Sequence, residues 1–140
     1  MNTNAICVAV AAKAAGVAGI RGTSPRPPDT IPASPWAVVG SHHAESAGGT
    51  LGRRRIDYTF PIHAYVERTA DADQTSTVIN NLVDAFVVAF EAGITLSGTV
   101  AKAEIVQWNT DLYAEVGQAQ YQVIDFTLSV LVQEPSAFTP

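Results

Sequence analysis

Apolar and polar residues alternate without a break from Ile56 to Glu67. Ile56, Tyr58, Phe60, Ile62, Ala64 and Val66 fall on one side, and Asp57, Thr59, Pro61, His63, Tyr65 and Glu67 on the other. Successive side chains on a strand point to opposite faces, so this segment is a strand with one dry and one mostly wet surface. Antiparallel sheets wetted on one face read this way. Such a strand needs partners beside it and a layer over its dry face. Pro61 has no amide hydrogen, which places the strand at an edge or puts a bulge there.

The partners are legible on both sides. Residues 36–40, starting at Trp36, are β-branched and aromatic, and with 53–67 they predict a hairpin whose long, mobile tip spans 41–55. Two further strands are predicted over 99–108 and 118–133. In the second, Ile124, Phe126, Leu128, Val130 and Val132 form the core face. The covering layer comes from two helices. Residues 4–17 are alanine-rich, with Ile6, Val10 and Val17 near one stripe. Residues 73–91 carry Val78, Ile79, Leu82, Val83, Phe86, Val87 and Phe90 at helical spacing behind a cap at Asp71 or Asp73. The expected fold is therefore one α+β domain over 1–140: a four-stranded antiparallel sheet with helices on one face, in the order helix, hairpin, helix, hairpin.

Residues 22–35 hold Pro25, Pro27, Pro28, Pro32 and Pro35, too many for a helix or a central strand. This stretch reads as a stiff connecting loop suited to lying along another surface.

Charge separates function classes. The formal net charge is −5, which argues against gripping nucleic acid by phosphate neutralisation. Residues 1–68 sum to +3 and residues 69–140 to −8, so the two halves are electrically opposite. The single cysteine, Cys7, makes no intrachain disulfide and reads as a packed thiol in the first helix. The apolar run 5–12 is too short for a membrane span, and the chain is expected to act in the cytoplasm or in something assembled there.

Candidate chemistry is sparse. His42 and His43 are adjacent and flanked by glycine-bearing loop, which suits a solvated tip better than a metal or catalytic site. His63 lies on the wet face with Glu67, a surface pair. Ser46 is not in a nucleophile-elbow pattern, and neither a Walker nor a dinucleotide glycine fingerprint is present. No enzyme, cofactor or metal site is expected. Arg53, Arg54 and Arg55 form the one basic cluster, and a protein partner suits it better than nucleic acid. Opposite charge on the two halves favours heterologous, head-to-tail contacts between copies, and these close into rings.

The alanine-rich helix, the proline-rich loop leading to WAVV at 36–39, and the strand RIDYTFPIHAYV at 55–66 together resemble the tail terminator (tail completion) proteins of long-tailed bacteriophages. The helix over 78–90 and the closing strand YQVIDFTLSV at 121–130 extend the resemblance to nearly the whole chain. The resemblance implies a hexameric ring in the virion that caps the tail tube, stops its growth and joins the tail to the head connector. Its partners would be its own copies, the major tube protein and a head connector or completion protein. DNA would pass through an acidic lumen without specific binding, and no membrane would be involved. Another head–tail joining or neck protein is the alternative. Arg53, Arg54, Arg55, His42 and His43 would then contact the tube or a neighbouring subunit, and Pro27, Pro28 and Trp36 a neighbour.

Overall fold

A computed structural model of the chain describes residues 3–26, 28–47, 53–91, 96, 100 and 102–135, with the side chains of 47, 53, 134 and 135 outside that description. Its elements are α1 (Thr3–Ala15), β1 (Gly22–Ser24), β2 (Trp36–Val39), β3 (His43–Ala47), β4 (Arg53–Glu67), α2 (Ala72–Ala89), β5 (Lys102–Val116) and β6 (Ala119–Pro135).

The sheet is six-stranded and mixed, which corrects the expected four-stranded antiparallel arrangement of two hairpins. Its order is β1-β2-β4-β6-β5, with β3 also paired to β4. Two strands were hidden in segments without periodicity. β1 has only three residues, at the start of the proline-rich stretch, and runs parallel to β2 because the intervening loop carries the chain back to its starting end. β3 occupies part of the expected mobile tip and pairs antiparallel with β4 from His43↔Thr59 to Ala47↔Arg55. Residues 48–52 of that tip lie outside the described residues. β4 does not pair with β5: the chain passes over the sheet through α2 to the far edge and returns as β6, between them.

β4 is thus interior, although Pro61 lacks a donor. In an antiparallel pair a residue's N–H and C=O point to the same side. The Pro61 carbonyl accepts from the Gly40 amide at 2.8 Å, so its nitrogen also faces Gly40, in the break between β2 and β3. The missing hydrogen bond falls where the neighbouring strand is interrupted.

The dry face is the expected one. Tyr58, Phe60, Ile62 and Ala64 of β4 and Ile124, Phe126, Leu128 and Val130 of β6 are all buried. Over them lie Ile6, Val10 and Ala14 of α1 and Ile79, Leu82 and Phe86 of α2. Phe86 stacks on Phe126 with ring centroids 4.4 Å apart. Asp71 caps α2 by accepting from the amides of Asp73 and Gln74 at 3.0 and 3.2 Å.

The opposite face is not uniformly wet. Val38, Tyr65, Tyr121 and Val123 form a second buried cluster, against which Ile31 and Trp36 pack. The proline-rich loop therefore covers its own sheet. Its far reach is marked by Thr30, whose Cγ2 would lie 3.1 Å from a Cβ placed on Gly117 in the β5–β6 turn. The Ser34 hydroxyl accepts from the Glu67 amide at 2.9 Å and fastens the loop to the end of β4. Burial pushes the Tyr65 and Tyr121 hydroxyls above the usual phenol range, and the nearby Glu67 carboxylate adds to the second shift.

The Trp36 ring lies across Gly22, where an added Cβ would come 2.2 Å from the ring. Gly22→Ala should therefore displace Trp36 and destabilise the fold by about 1–3 kcal/mol, the usual cost of overpacking. Urea melts would show the loss, with a red-shifted tryptophan emission. Unchanged emission and stability would mean that the ring does not sit there.

Candidate interface surfaces

The basic cluster lies at the start of β4, which here sits between β6 and the end of β3, with Ala47 opposite Arg55. Arg53, Arg54 and Arg55 pair with Pro135, Glu134 and Gln133 of β6, beyond the point where β5 begins opposite Leu131. Arg55 Nε donates to Asp57 Oδ1 at 3.2 Å, two residues along the same face. The guanidinium of Arg55 is half exposed, so this pair contributes little stability and leaves the charge near solvent.

The two histidines are separated by the strand geometry. His43 is exposed, with Nε2 3.3 Å from Glu45 Oε1. His42 points inward instead of joining a solvated tip. Its ring lies 5.3 Å from that of Tyr58 and 5.6 Å from that of Phe60, and its Nδ1 is 3.7 Å from Cys7 Sγ. Cys7, His42 and Phe60 help line a pocket of about 350 Å³ between α1 and the β1–β2 end of the sheet. Ala11, Ser24 and Val39 are also part of its wall. Sequence reasoning missed this pocket because it joins residues 35 positions apart and no local pattern relates them.

His63 pairs across strands with Asp125, 3.2 Å away, and not along its own strand with Glu67. Trp36 is partly buried and donates from Nε1 to Ser24 Oγ at 3.1 Å. Pro28 is half-buried at the start of the loop segment that reaches the second face, and Pro27 lies outside the described residues.

The other end of the sheet has a different character. Ala103 and Ile105 of β5 are buried, but Val106, Trp108, Leu112 and Tyr113 are 53, 48, 38 and 59 % exposed. Ile105 N–H donates to the carbonyl of Phe90, the residue that caps the end of α2, at 3.3 Å, and the large apolar side chains beyond it are the exposed ones. Two register shifts, between Ile105 and Gln107 and between Asn109 and Leu112, interrupt the pairing of β5 with β6. The sequence predicts a strand over 99–108 and a continuation from Leu112; the structure has one strand from Lys102 to Val116, much of it an exposed edge.

No group of three or more His, Cys, Asp or Glu side chains positioned to hold a metal occurs among the described residues. Among them, too, no helix is long and apolar enough to cross a membrane.

No protein-family model matches the chain, and no curated protein matches it. Among solved structures, it is similar to a chain of the virion of a native gene transfer agent particle, at 16 % identity and a TM-score of 0.48, covering 89 % of this chain and 85 % of that one.

Proposed function

We propose that this chain is a structural protein of a phage-like virion that assembles as a ring at the head-proximal end of a tail tube, ends the tube's growth and joins it to the head connector. The observation that carries the reading is the unlike character of the two sheet ends. One end is flanked by Arg21 and Arg26, next to β1 and the pocket. The other is a strand with exposed apolar side chains that bears Glu104, Asp111 and Glu115 against one base, Lys102. Unlike, complementary surfaces on one subunit make heterologous contacts, and these generate closed rings or open filaments. The reading adds no chemistry: the protein works by shape and charge, without catalysis or cofactor. The chain's excess of acids over bases supports a lumen through which DNA slides without sticking.

Negative-stain electron microscopy of the purified chain, alone and mixed with purified tail tubes, tests the proposal. Rings, free or seated on one end of each tube, are expected, with six copies as the family resemblance implies. Long tubes of this protein alone would make it a tube subunit instead, and monomers that ignore tube ends would reject the reading.

A further inference from the structure

We propose that Trp108 of one copy inserts into the pocket formed by Cys7, Ala11, Ser24, Val39, His42 and Phe60 of the next copy. This rests on the ring reading above and names the contact that would close the ring.

Both halves of the contact lie on the helix side of the sheet, at its opposite ends. Trp108 is paired with Phe126, whose side chain is in the core beneath the helices, and directly opposed residues on neighbouring strands share a face. Trp108 therefore projects on the helix side of the outermost strand β5. The pocket also opens on the helix side, walled by α1 and by β1, the outermost strand at the other end. Side-by-side placement of two copies in the same orientation brings knob and hole together.

The chemistry of the two surfaces matches. The pocket is walled mostly by apolar atoms, and its volume of about 350 Å³ lies in the range of small-ligand sites. An indole fills such a space with large apolar area, and its N–H finds acceptors at the Ser24 hydroxyl and the His42 ring. Lys13, Arg21 and Arg26 lie on the elements around the pocket, while β5 carries Asp111 and Glu115 beyond Trp108, and Glu104 on the other face of the sheet, 3.9 Å from Lys102, the one base of the strand. This charge complementarity favours a second copy over other occupants, since both surfaces belong to the same chain.

Strand addition is the competing way to use an exposed edge, and the geometry disfavours it. The two register shifts break β5 into short regular pieces, and β1 is three residues long and followed by Pro25. Bulges, short strands and prolines are devices that block edge-to-edge pairing. Side-chain insertion needs no continuous ladder.

The test replaces Trp108 with the photoreactive aromatic p-benzoylphenylalanine, which keeps the knob, and irradiates the full-length protein at the concentration where the wild type assembles. Crosslinks between copies should map to the tryptic peptides 1–13, 22–53 or 56–68, which carry the pocket residues. In parallel, Trp108→Ala should weaken self-association by about thirtyfold or more, the loss expected of a buried tryptophan hot spot. Ala11→Phe, which plugs the hole from the other side, should do the same while leaving Trp108 in place, so a folding defect in one variant does not decide the matter. Rings of wild-type protein with crosslinks elsewhere, or with self-association unchanged in both variants, would overturn this contact and leave the ring intact. Correct crosslinks in open chains instead of rings would uphold the contact and reject the ring. A wild type that stays monomeric and gives no crosslink would reject both.

Discussion

Phe126→Ala is expected to cost about 3–5 kcal/mol of folding stability, the range for removing a fully buried phenylalanine. The residue is completely inaccessible, stacks on Phe86, and lies in the central strand pair between Ile62 and Trp108. The interior strands have little freedom to close the void, because β6 is hydrogen-bonded on both sides. A domain of this size has a total stability of roughly 5–15 kcal/mol, so the variant would sit near the unfolding threshold. Urea denaturation at fixed protein concentration reads the change, with concentration held constant because self-association adds apparent stability. Phe86→Ala should cost a similar amount, and the double variant should show a coupling of about 0.5–1.5 kcal/mol from the lost ring contact. A loss below about 1 kcal/mol would mean that the two helices do not pack on β6 as described.

Reversing the charge of the exposed arginine of the basic cluster, Arg55→Glu, should affect assembly much more than folding. The position lies near the start of β4, opposite Gln133, and outside the core. An exposed charge change usually moves stability by no more than about 1 kcal/mol, even with Asp57 now beside a like charge. Under the proposed function, however, the cluster presents a cationic surface to the tube or to the next subunit, and reversal turns attraction into repulsion. Particles made with this variant should have tails of abnormal length, or heads without tails, in electron micrographs. Melting curves of the purified variant close to wild type would show that the defect lies in assembly. Normal virions would remove Arg55 from the joining surface.

Sequence and structure agree where burial imposes a period. β4 spans Arg53–Glu67, the bounds of the predicted hairpin strand, and its alternation from Ile56 to Glu67 holds because one face of the strand had to be dry. α2 follows from its apolar stripe and from the side chain of Asp71 at its start. The misses have a common cause: contacts distant in sequence created structure where the local pattern was silent. The residues Gly22, Thr23 and Ser24 have no strand signature, and β2 makes them a strand by offering its edge. The small and polar residues of β3, His43 to Ala47, are held by the ladder on β4 and not by burial. Tyr65, Tyr121 and Val123 were visible as apolar residues on the supposedly wet face, a sign that something covers it. What covers it is the proline-rich loop, and no periodicity could say where that loop would lie. Of the expected interface residues, the arginines share the start of β4, His42 and His43 diverge, and Trp36 is committed to its own fold.

The loop that folds over Tyr65 and Tyr121 makes the subunit vectorial. Along the strand axis, one extremity is covered by the loop on the face away from the helices, whereas the other holds the run of arginines that starts β4. Copies laid shoulder to shoulder in the same sense would form a disc whose top and bottom are chemically distinct. Such a disc presents one surface on which a repeating column can finish and another on which a different structure can begin.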